Sequence, residues 1–112
     1  MEPGYCDLKM QQGSQFETVL RAKESVTDEV GIDLTGCEFR SQMRTEAGGT
    51  LLIEFTVDHS RLDEGYVGLT ATAEQTAQVT RPGVYDVEYT DPDGLTRTIL
   101  RGNISLTLEV TK

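Results

Sequence analysis

The chain has no tryptophan, a single histidine, two cysteines and three prolines, and it is poor in positive charge, with 10 lysines and arginines against 19 acidic residues. Each shortage removes a class of function. A formal charge of −9 and a pI near 4.4 repel a phosphate backbone, so no nucleic-acid partner is expected. The acidity serves solubility, or it matches a basic protein partner. With one histidine and no CxxC pair, Cys6 and Cys37 cannot assemble a zinc site or a redox motif. They read as small buried residues. Because both stand at the starts of predicted strands, a bridge within or between chains is geometrically open if the protein meets oxidising surroundings. No apolar run approaches membrane-spanning length, so no membrane association is expected. The first residues, MEPGYCDLKM, lack the basic start and apolar stretch of a signal peptide, which makes a cytoplasm the expected place of synthesis.

Motifs of enzymes are missing as well. There is no GxxxxGK[ST], no GxGxxG after a strand and no GxSxG, so phosphate cradling, dinucleotide binding and the serine-hydrolase elbow are absent. His59 lies between Asp58 and Ser60 in a polar loop, but neighbours on extended chain point apart and cannot form a proton relay. Carboxylate pairs occur at Asp28-Glu29, at Asp63-Glu64 and at Asp91 with Asp93. The last pair is explained by turn chemistry and lacks the ligand spacing of an EF-hand, while Asp63 or Glu64 could share a calcium ion at a subunit contact. The expectation is a protein that is no enzyme, with no catalytic, cofactor-binding or metal-binding residues and no cofactor.

What is present is a run of strands. The 112 residues suffice for one domain, 1–112, with a real core. Cys6, Leu8 and Met10 alternate with polar residues before a stop at Gln11-Gln12-Gly13-Ser14. Phe16, Thr18, Leu20 and Ala22 form a second alternation, in which Val19 is the one apolar residue on the polar side. The acidic stretch Glu24 to Gly31 has no period and reads as a loop. Cys37, Phe39, Ser41 and Met43 line a third strand, and Leu51, Ile53, Phe55 and Val57 a fourth that is expected to be central. Tyr66 to Ala71 is a fifth, weakened by Gly68. Thr72-Ala73-Glu74-Gln75 has the spacing of a capping box, predicting one or two helical turns that end before Pro82-Gly83.

The strongest local signal is Val84 to Val110. Tyr85, Val87 and Tyr89 alternate up to the turn Asp91-Pro92-Asp93-Gly94, and Ile104, Leu106, Leu108 and Val110 alternate at the far end. A bulged turn at Gly94 sets Asp91 opposite Leu95 and Val87 opposite Ile99, which puts odd-numbered residues inward where the later run is even. A phase change near Gly102-Asn103 is then required, making the last strand kinked and an expected assembly edge. The sum is an all-β fold, a small antiparallel immunoglobulin-like β-sandwich of roughly seven or eight strands with one short helix near 72–79; a closed barrel is the alternative.

Four segments, taken in order, carry a resemblance: QQGSQF, GIDLTGCEFRSQMR, AEQTAQ and GVYDVEYTDPDGLTRTILRGNISLTLEVT. The set resembles small tailed-bacteriophage virion proteins with an immunoglobulin-like sandwich, similar to the N-terminal domains of baseplate upper proteins and to tail or neck accessory proteins. Two features depart from that group: Cys37 stands where an aromatic residue commonly follows the DLTG turn, and the acidic loop before Ile32 is unusually long. The resemblance implies a virion structural protein, made in the host cytoplasm and present in multiple copies, whose partners are other virion proteins of tail, baseplate, neck or capsid. A capsid decoration (cement) protein is the close variant. A carbohydrate-binding adhesive module is the reading from another class; it needs exposed aromatics, and the chain offers only Tyr5, Tyr66, Tyr85 and Tyr89, the last two at core positions of their strand.

Overall fold

A computed structural model of the chain describes residues 4–21, 34–58 and 65–108. Among these residues the strands are β1 (Gly4–Tyr5), β2 (Leu8–Gln11), β3 (Phe16–Arg21), β4 (Glu38–Arg44), β5 (Leu51–Glu54), β6 (Thr56–Asp58), β7 (Tyr66–Ala71), β8 (Gly83–Thr90) and β9 (Thr96–Thr107), and a short helix, α1 (Ala73–Ala77), lies between β7 and β8. They form two sheets, as the alternating patterns require, and not a closed barrel. The larger runs β1-β9-β8-β4-β5, with β2 also on β9, and the smaller runs β3-β7-β6. The inward residues of both sheets share one core: Met43, Tyr85, Val87 and Ile104 from the larger sheet meet Phe16, Leu20, Val67 and Leu69 from the smaller. The Phe16 and Phe55 rings lie 5.5 Å apart within it.

The helix begins as its sequence dictates. The Thr72 hydroxyl accepts from the Gln75 amide at 3.1 Å, and the Gln75 side chain accepts from the Thr72 amide at 2.8 Å, so two backbone donors at the helix start are satisfied reciprocally. Thr76 is fully buried and its hydroxyl donates to the Ser14 carbonyl at 2.8 Å, tying the helix to the turn after β2. Gln12 adds a second tie, donating its side-chain amide to the Val79 carbonyl at 2.8 Å.

The β8–β9 hairpin has the bulged turn that Pro92 and Gly94 favour. Asp91 N–H donates to the Leu95 carbonyl at 2.9 Å, Gly94 has a φ of 87°, and Tyr89 is opposite Arg97. The Asp91 carboxylate accepts from the amides of Asp93 and Leu95, both at 3.0 Å, so it belongs to the turn. The phase change does occur, but earlier than Gly102-Asn103. The register shifts between Val87 and Glu88, so Val87 faces Leu100 and not Ile99, and both Ile99 and Leu100 are buried. Two consecutive large apolar residues absorb the bulge by both turning inward, and from Leu100 onward the even-numbered residues face the core.

Three further expectations are corrected. The fourth predicted strand is not central: the chain crosses from one sheet to the other at Phe55, whose amide donates to the Ser41 carbonyl at 2.9 Å, so β5 and β6 are outer strands of different sheets. Nor is β9 an edge, because β1 and β2 cover its far side. Finally, the sandwich is not wholly antiparallel, since β1 and β2 both run parallel to β9, with Gly4 opposite Leu100 and Leu8 opposite Ile104. Period-two alternation fixes which face a strand buries but not its direction. Here the turn after β2 leads into the other sheet, so no hairpin imposes antiparallel pairing.

Candidate functional site: the outer face of the larger sheet

Side chains that point away from the core on β4, β8 and β9 line a groove of about 590 Å³, with Tyr5 at its rim. The pairings place these residues in cross-strand rows. One row reads Glu54, Gln42, Asp86, Arg101, Tyr5, and another Arg40, Glu88, Thr98. Polar residues at alternate positions of each strand are what a solvated sheet face requires, and the pleat gathers them on one surface.

Within the groove the polar groups largely hold one another. Arg44 donates to the Gly49 carbonyl at 2.8 Å and to the Gln42 side-chain oxygen at 2.9 Å. Arg40 and Glu54 approach to 3.7 Å, both well exposed, so this pair contributes less than about 1 kcal/mol. Asn103 donates its side-chain amide to the Tyr5 hydroxyl at 2.7 Å. Asp86 is exposed, yet crowding on the sheet face costs its carboxylate hydration, and with the Glu88 charge this raises its pKa above the usual aspartate value against the opposing pull of Arg44. The folded state therefore binds the Asp86 proton more tightly than the unfolded chain. Its contribution to stability is full below the ordinary aspartate range and is lost as pH rises through the raised value. Asp86→Asn is expected to raise the melting temperature near neutral pH and to leave it unchanged in strongly acidic buffer, as thermal melts at the two conditions would show.

The rim of the groove is fastened by the N-terminal segment. Cys6 N–H donates to the Arg101 carbonyl at 2.9 Å, the Asp7 carboxylate accepts from the Asn103 amide at 3.0 Å, and the buried Tyr85 hydroxyl donates to the Cys6 carbonyl at 2.6 Å. Burial, first of all, then nearby Cys6, Asp7 and Tyr5, push the Tyr85 phenol well above its ordinary pKa, so it stays a donor.

The residues singled out in the sequence are dispersed. Cys6 and Cys37 are half-buried thiols packed against the core, with no disulfide between them. Tyr66 lies under the Arg21 guanidinium at 4.7 Å, and Tyr89 packs near Phe39, with ring centroids 6.5 Å apart. Only Tyr5, 64% exposed, offers a free aromatic face among the four tyrosines. Glu24 to Gly31 with Asp28 and Glu29, His59, Asp63, Glu64 and Val110 lie outside the described residues. Among the described residues no group of three or more histidine, cysteine, aspartate or glutamate side chains is gathered to hold a metal ion, and no helix is long and apolar enough to cross a membrane. The groove itself was not apparent from sequence. Its β4 and β8 residues are the polar half of clean alternations, but joining them to Arg101 and Asn103 requires the β9 bulge and the parallel strand. No known family model matches the chain, and no curated protein is significantly similar to it.

Proposed function

We propose that this protein is a non-enzymatic structural subunit of a tailed-bacteriophage particle, an adaptor or accessory of the tail, baseplate or neck that works through protein–protein contacts. What supports this reading is the resemblance of the ordered set of four segments, from QQGSQF to the closing GVYDVEYTDPDGLTRTILRGNISLTLEVT, to such proteins. A two-sheet β fold agrees with it, because strand edges and sheet faces supply recognition surface without chemistry. The expected partners are other virion proteins, and the expected site of action is the virion. Capsid decoration is the variant of the same reading.

Images of particles made with and without the gene test the proposal and separate its variants. Loss of a ring or appendage at the tail or neck is expected. Loss of an outer layer on the capsid would mark a decoration protein instead, and unchanged particles would overturn the proposal. A carbohydrate-binding module is the second reading, favoured only by Tyr5 at the rim of a groove lined with planar polar side chains. A glycan array without binding would remove it.

A further inference from the structure

The smaller sheet ends on β3, whose pairing with β7 runs from Phe16 opposite Ala71 to Arg21 opposite Tyr66 with no bulge. Among the described residues its other side pairs with no strand. Edge strands are normally blunted by shortness, proline, lysine or a bulge. β6, at the far side of the same sheet, has three residues, and the pairing of β5 with β4 is broken between Met43 and Arg44. β3 has six residues, FETVLR, and none of these protections.

Its outer face is also unusual. Phe16 and Leu20 are buried in the core, while Glu17, Val19 and Arg21 face outward. Val19 is 64% exposed, and the residue directly across from it is Gly68, which has no side chain to cover it. The apolar residue that breaks the alternation of this strand therefore has no side chain directly across from it on β7, and the next one over is Asp58 on β6. On either side of it, two positions away, stand opposite charges: Glu17 before and Arg21 after.

That pattern is self-complementary. We propose that β3 is a self-association surface on which a second copy of this chain pairs antiparallel, with Val19 on the twofold axis. In that register Val19 meets Val19 of the second copy, Glu17 faces Arg21 of the second copy, and Arg21 faces Glu17 of the second copy. A twofold axis through the centre of a strand generates such matching only when charges placed symmetrically about it are opposite, and here they are. Main-chain hydrogen bonds between the two edges join both three-stranded sheets into one, and the two valines cover each other. The inference rests on the fold and the sequence of β3, independently of the proposed role in a particle.

Sedimentation velocity of the full chain over a concentration series tests it. The unmodified protein is expected to dimerise reversibly. E17R and R21E each set like charges opposite one another at both flanking positions, and each is expected to weaken the dimer about tenfold or more. An equimolar mixture of E17R with R21E restores opposite charges at both positions and is expected to recover a dimer. Because Arg21 also stacks on Tyr66, circular dichroism and thermal melts check that R21E folds; V19K, which places two ammonium groups on the axis and leaves both charge partners in place, is expected to abolish dimerisation regardless. A chain that stays monomeric throughout, a V19K or E17R dimer as tight as the original, or a folded mixture that remains monomeric would each overturn the proposal.

Discussion

Replacing Gly102 with alanine is expected to lower the stability of the fold by about 3 kcal/mol or more, near the upper end of what overpacking costs, because the obstacle is main chain. A Cβ at this position would overlap the carbonyl of Cys6 and press on the Tyr85 ring. Neither can yield cheaply. The Cys6 carbonyl is held by the Tyr85 hydroxyl and the Cys6 amide by Arg101, so relief requires the N-terminal strand to lift away from β9. Hydrogen exchange would then show lost protection at Leu8–Gln11, with Ile53 and Leu69 amides still protected at moderate destabilisation. A Gly102→Ala protein that melted like the original would mean that the N-terminal segment does not cross β9 at Gly102.

The second large effect is expected at Leu69. It is fully buried on β7, the middle strand of the smaller sheet, between Thr18 on β3 and Val57 on β6. Leu69→Ala removes that side chain where strands on both sides restrain collapse around the cavity, so a loss of about 2–5 kcal/mol is expected. Against the roughly 5–15 kcal/mol by which a domain is stable, this is a large fraction. In urea the unfolding midpoint should fall while the slope of the transition stays the same. A midpoint unmoved by the change would remove β7 from the core.

These two positions show what could be read in the sequence and what could not. Leu69 was legible, because Val67, Leu69 and Ala71 alternate cleanly and such a period has one physical meaning. The helix cap at Thr72 and Gln75 and the bulged turn at Asp91 were legible for a similar reason, since each is a local hydrogen-bond arrangement encoded within a few residues. Gly102, in the sequence, marks only the place of a bend. Its true constraint comes from Cys6, 96 positions earlier in the chain, through a parallel pairing that no local pattern encodes. The bulge fell at Ile99 and Leu100 because burial of two adjacent apolar side chains outweighed the flexibility of glycine. Phe55 hid the sheet change in the same way: a strand that crosses between sheets while keeping its inward parity looks like one long strand.

The groove followed the same rule. Arg40, Gln42 and Arg44 were visible as one polar face, but their assembly with Asp86, Arg101 and Tyr5 depends on strand order. A residue's neighbours along a strand are written in the chain, whereas its neighbours across a sheet are set by topology.

The central claim, a subunit of a tailed-phage particle that acts through its surfaces, is tested most directly by quantitative mass spectrometry of gradient-purified particles. This chain is expected in every preparation at a fixed multi-copy ratio to the major capsid protein. Its absence from infectious particles made while the gene is expressed would contradict the claim.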